Sequence, residues 1–197
     1  MLVLSTLARR ATLWLIVGLI GCAALSGCAP EFNWREVRSP AEGYAVMFPG
    51  KPATLVRDIQ LLDRKFSMSM QGAQVSEVSF TVGSVSVSGL DASQRQLLLG
   101  AMRDQMLRNI GATEASESTL QQPLIDAQAR PVGALSVSRV KAAGKHPRGH
   151  ALRMQAVFVL HENRLIQVVA LGEKLSDESA QTFFESVRWI QTASPGG

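Results

Sequence analysis

Few side chains in this 197-residue sequence have the type and spacing to do chemistry. His146 and His150 stand four apart, which on a helix would place two imidazoles on one face. Pro147 and Gly149 lie between them and oppose a helix, and Lys145 and Arg148 disfavour a divalent cation, so the pair reads as a solvated loop. His161 falls in a predicted hairpin turn, His161-Glu162-Asn163, and reads the same way. Met68 and Met70, with Phe66, offer the soft thioether sulfurs that copper(I) takes. Their strict alternation with Ser67 and Ser69 assigns them instead to the inward face of a strand, where methionine fills gaps. No Gly-x-Ser-x-Gly elbow activates a serine, Asp58 and Asp63 are not joined by helical spacing, and no Gly-rich phosphate loop follows a strand. With no nucleophile set beside a base, the expectation is a chain that is not an enzyme and has no catalytic residue, metal ligand or cofactor-binding residue.

The remaining reactive side chains are Cys22 and Cys28. Arg9 and Arg10 are the only charges before Glu31, and Ala11 to Leu25 is an uncharged apolar run, the plan of a secretory signal. Leu25-Ser26-Gly27-Cys28 resembles a lipobox, the recognition sequence of bacterial lipoprotein precursors. That resemblance implies a diacylglyceryl group on the Cys28 thiol, cleavage before Cys28, and acylation of the new amine, with Cys28 as the lipidation site. Small Ser26 and Gly27 suit a narrow peptidase cleft, and Pro30 is no stop-transfer flank. An uncleaved transmembrane helix, a second lipobox at Leu19-Ile20-Gly21-Cys22, and twin-arginine export through Arg9-Arg10 rank below this reading. The expected organisation is a signal peptide over 1–27, a lipidated N-terminus and spacer over 28–33, one globular domain over 34–191, and a flexible tail over 192–197. Ala29 stands where an inner-membrane retention signal usually carries Asp. By resemblance to enterobacterial sorting, that favours the outer membrane, facing the periplasm.

Cleavage before Cys28 removes Cys22, and thioether formation consumes Cys28, so no thiol is left for a disulfide, a nucleophile or a metal. It also removes Arg9 and Arg10, which lowers the formal charge from +4 to +2. Such a balance gives no argument for a nucleic-acid partner.

The elements that must position these residues are mainly strands. Trp34 to Arg38 reads as a first strand, Ser39 to Gly43 as a turn, and Tyr44 to Phe48 as a second strand stopped by Pro49-Gly50-Lys51-Pro52. Leu55 to Leu62 is extended, and a β region follows Phe66. Val78, Phe80 and Val82 share one parity and Val85 and Val87 the other, which predicts a bulge or kink at Gly83-Ser84. Asp91 caps a long helix to about Asn109, with Leu99, Met102, Met106 and Ile110 as its packed stripe and Leu98 flanking it. Thr113 to Gln121 reads as an edge strand, Val132 to Val140 as another strand, and Lys141 to His150 as a basic loop that is solvated, with contact of Lys141, Lys145 and Arg148 to anionic headgroups ranked below. Ala151 to Leu160 and Arg164 to Leu171 make a hairpin that is apolar on both faces and so needs cover on both. A last helix, capped by Ser176 with Ala180, Phe183, Phe184 and Val187 buried, supplies one cover, and the Asp91 helix the other. The sum predicts the α+β class: an antiparallel β-sheet with helices on both faces, an α/β/α sandwich.

Trp34, the run Glu42-Gly43-Tyr44-Ala45-Val46-Met47-Phe48-Pro49-Gly50-Lys51-Pro52, and the closing Phe183-Phe184-Glu185-Ser186-Val187-Arg188 together resemble the PsbP-like superfamily. Its members include photosystem II extrinsic subunits, Ran-binding Mog proteins and bacterial DcrB lipoproteins. The resemblance spans Trp34 to about Ile190 and implies a binding or assembly module without known catalysis. It carries over no catalytic residue, because its motifs specify a fold more than a site.

The expected function is therefore that of a lipid-anchored envelope lipoprotein, a non-catalytic binding or assembly-support module. Its expected partners are the membrane, through the N-terminal lipid, and an envelope protein. The alternative is a periplasmic carrier of a small or lipidic ligand in a groove between sheet and helix.

Overall fold

A computed structural model describes residues 31–146 and 148–192. Cys28, the leader and the tail 193–197 lie outside the described residues, and so does the lipidation they would carry. In chain order the elements are β1 Arg35–Ser39, a 3-10 turn Pro40–Glu42, β2 Tyr44–Phe48, β3 Ala53–Leu61, β4 Arg64–Val75 and β5 Val78–Ser86. Then follow α1 Ala92–Asn109, β6 Glu114–Ile125, β7 Pro131–Lys145, β8 Ala151–His161, β9 Arg164–Gly172, α2 Asp177–Glu185 and β10 Arg188–Ile190.

All the strands join one ten-stranded sheet in the order β1-β2-β10-β6-β7-β8-β9-β5-β4-β3. Pairing is antiparallel except between β10 and β6, where Trp189 and Ile190 run parallel to Leu124 and Ile125. Strand accounts for 56% of the described residues and helix for 19%, and the sheet curls into a half-barrel. The α/β/α sandwich expected from the sequence is thus corrected to a mostly β fold. The two α-helices do not form layers, because 18 and 9 residues of helix cannot cover ten strands. Right-handed twist of about 20–25° per neighbouring strand accumulates across so wide a sheet, and curling brings the strands over each helix. Segments such as Gln71–Val75, Gln122–Ile125 and Lys141–Lys145 extend the strands well beyond the apolar alternation.

The parity change in β5 has a different cause from the one predicted. Pairing of β5 with both β4 and β9 is continuous through Gly83 and Ser84, so no bulge exists there. Val78, Phe80 and Val82 enter a core cluster on the α2 face, while Val85 and Val87 enter a second cluster on the α1 face. Both faces of the strand are buried, so both parities are apolar in a regular ladder. The hairpin β8–β9 follows the same logic, with Val157 and Val159 on one face and Met154, Ala156 and Phe158 on the other.

Both helices start where the capping residues stand. The Asp91 carboxylate accepts from the Gln94 amide at 2.8 Å while Gln94 returns a bond to the Asp91 amide, a closed capping box worth about 1 kcal/mol. The Ser176 hydroxyl accepts from the Ser179 amide at 3.1 Å. The far end of α1 is held by main chain: the Lys145 amide donates to the Ile110 carbonyl at 2.9 Å. Gly144 makes that approach possible, since a Cβ there would strike the Ile110 carbonyl oxygen.

Two further expectations are revised. Lys141 to Lys145 belongs to β7, so the predicted basic loop shrinks to the connection after Lys145. The predicted edge strand from Thr113 runs as β6 to Ile125 inside the strand order, yet β10 pairs only with Leu124 and Ile125. The edge of β6 from Glu114 to Pro123 is therefore unpaired among the described residues.

Candidate functional site

The fold sets α1 across β8 and leaves a different kind of contact on each of its flanks. On the β6–β7 flank the helix is tied by polar bonds. Arg103 donates to both Glu117 carboxylate oxygens at 3.0 and 2.9 Å, and the Ser138 hydroxyl donates to the same carboxylate at 2.6 Å. The Ser138 hydroxyl first, and then Arg103, hold the Glu117 carboxyl below its ordinary range. Toward its start, Arg95 donates to the Leu90 and Glu162 carbonyls at 2.8 and 3.1 Å. On the opposite flank, among the described residues, no hydrogen bond or ion pair joins α1 to β3 or β4.

That untied flank is a groove of about 670 Å³ between α1 and the β3–β4 hairpin. Register explains its shape. Along one row of the sheet, Leu55, Met70, Gly83, Gln167 and Phe158 stand side by side; along the next run Arg57, Met68, Val85 and Leu165. Gly83 contributes no side chain to the first row, and the Met68 sulfur and the Gln167 amide close over it, 3.0 and 3.2 Å from where a Cβ would be. Met102 and Met106, one turn apart on α1, face Met68 and Met70 across the groove. The methionines from the predicted strand and those from the predicted helix stripe thus meet, with Met68 and Met102 buried and Met70 and Met106 half-buried. Thioether side chains are flexible and polarizable, and they suit a surface that adapts to an apolar guest.

Gln167 is the buried polar residue of that lining, whose other polar members, Arg57, Asp58, Gln60, Gln105, Arg108 and Asn109, are exposed. It is 5% exposed, borders the groove, and its amide has no hydrogen-bond partner among the described residues. At the mouth, among the described residues, Arg57 shares the face of Met68 and makes no ion pair, the Arg108 side chain bonds Gln105, and Asp58 points to the other face of β3. A lone glutamine in a strand otherwise apolar on both faces was the signal in the sequence that could have marked the site.

The residues singled out from the sequence do not assemble elsewhere. His146 and His150 bracket a tight turn, their rings 6.4 Å apart, with His150 3.8 Å from Glu173. Among the described residues no group of three or more His, Cys, Asp or Glu side chains could hold a metal ion. His161 corrects the expectation of a solvated turn residue: it is 2% exposed, and its Nε2 donates to the Ile190 carbonyl at 2.8 Å, tying β8 to β10. Lys141, Lys145 and Arg148 are divided between strand and loop. Asp58 and Asp63 stay apart, on β3 and in its turn.

A second polar cluster gathers Glu42, Tyr44, Arg164 and Ser84. Arg164 donates to the buried Ser84 hydroxyl at 2.9 Å and lies 3.7 Å from Glu42. Burial, and then the Glu42 carboxylate, push the Tyr44 phenol far above its ordinary range. Arg164 thereby links the turn before β2 to the β5–β9 ladder.

No family model and no curated protein matches the chain. Among solved structures it is similar to PA94, a protein of unknown function from Pseudomonas aeruginosa, at 10% identity and a TM-score of 0.33, with 76% of this chain and 88% of that chain covered. That likeness is too weak to assign a fold or a function.

Proposed function

We propose that the protein is a lipid-anchored, non-catalytic envelope module that holds an apolar-chain ligand in the groove between α1 and the β3–β4 hairpin. The observation that carries this reading is the groove itself: a cleft lined in part by four methionines, on the flank of α1 that has no polar ties to β3 or β4 among the described residues. A volume of about 670 Å³ lies within the range of small-molecule sites, about 300–1,000 Å³. The lipobox-like Leu25-Ser26-Gly27-Cys28 supports the anchor, and the outer membrane facing the periplasm is the favoured location. The resemblance to PsbP-like binding modules agrees with the absence of catalysis from this reading.

Assembly support is the second reading, favoured by the unpaired edge of β6, which offers backbone groups to a partner strand. Purification from membranes with the anchor intact separates the two: co-purified amphiphile favours the groove, one stable protein partner favours the edge.

The groove is tested by filling it. Met70→Trp puts a large ring into the cleft from a half-buried position and is expected to weaken binding of dodecanoate at least tenfold. Stability should stay within about 1.5 kcal/mol of the native protein. Met47→Trp, on β2 and away from the groove, should leave binding unchanged. Equal binding by both variants, measured by calorimetry below the micelle concentration, would remove the groove as the site.

A further inference from the structure

We propose that Gln167 selects the ligand, and that this ligand is an acyl chain carrying a neutral hydrogen-bonding oxygen, such as a chain hydroxyl, in addition to its head. The proposal rests on the groove reading above.

Gln167 borders the groove at 5% exposure, and its amide has no partner among the described residues. An amide in that position keeps only a sliver of solvent. A plain hydrocarbon chain lying over it would strip that away and leave donor and acceptor both unsatisfied, a penalty of the size of a lost hydrogen bond. A hydroxyl or carbonyl oxygen at the right depth replaces the lost water. The neighbours fix the chemistry as neutral. Gly83, Met68 and the cross-strand Phe158 surround Gln167, with no charged side chain in its row. The cations Arg57 and Arg108 stand at the mouth and suit an anionic head there.

The test titrates the full protein with dodecanoate and with monohydroxydodecanoates whose hydroxyl sits at successive carbons. At least one isomer should bind roughly ten- to a hundredfold tighter than dodecanoate, as one well-placed hydrogen bond in a buried site allows. Gln167→Leu should erase that preference and tighten dodecanoate binding, since it removes the amide whose solvent contact the plain chain takes away. Gln167→Met is the second apolar variant should leucine pack poorly. A preference that survives in both variants, or hydroxylation that weakens binding at every carbon, overturns the proposal. If dodecanoate binds and no isomer binds better, the selection by Gln167 falls and the groove reading stands; if nothing binds, both fall.

Discussion

Phe183→Ala is expected to destabilise the protein by about 3–5 kcal/mol, the cost of deleting a fully buried aromatic ring and leaving its cavity. Phe183 projects from α2 into the curl of the sheet and is 0% exposed. Its ring lies 5.8 Å from Phe48 on β2, 5.2 Å from Phe80 on β5 and 5.3 Å from its neighbour Phe184. In the strand order β2 and β5 are separated by β10, β6, β7, β8 and β9, so one side chain touching both is a plug that the curled sheet closes around. Alanine would remove a contact that joins β2 to β5 across the curl, and aromatic pairs of this geometry add to the area they bury. Urea unfolding measures it, and a loss under about 1 kcal/mol would show that the curl holds without the plug.

Cys28→Ser should move the whole population from the membrane fraction to the soluble periplasmic fraction, whereas Cys22→Ser should change nothing. The reason is the arithmetic of acyl chains. Each buried methylene contributes about 0.8 kcal/mol, a single chain binds marginally, and two or more anchor stably. Serine cannot form the thioether, so every chain is lost with one atom exchanged. Fractionation with palmitate labelling reads the result, and membrane retention of the serine variant would return the apolar run Ala11 to Leu25 to its alternative role as an uncleaved span.

Local features of the fold were legible in the residues because they depend on neighbours along the chain. Tyr44 to Phe48 is a strand with the predicted bounds, the long helix starts at its Asp91 cap, and Ser176 caps the last. What stayed hidden depends on the curl. Short β10 was not foreseen, because Arg188 to Ile190 gains its partners from β2 and β6, far away in sequence. His161 looked solvated because its turn is, while the carbonyl it bonds belongs to Ile190. The serines and glutamines that lengthen β4, β6 and β7 carry no strand signature, which is why strand was undercounted and helix layers were expected. The groove is the clearest instance. Met68 with Met70, and Met102 with Met106, each read as a buried stripe, and both stripes do turn inward. That they face each other across a gap, with Gln167 beneath, is set by the angle between α1 and the β3–β4 hairpin, which no local pattern encodes.

Methyl NMR on protein labelled at the methionine methyl carbon tests the groove most directly, because residues 28–197 hold Met47, Met68, Met70, Met102, Met106 and Met154. Titration with a hydroxylated dodecanoate is predicted to shift the signals of Met68, Met70, Met102 and Met106 together and saturably. Met47, 36% exposed on β2, and Met154, 1% exposed in the core, should stay in place. Four unmoved groove signals at saturating ligand, or a shift confined to Met47, would contradict the account.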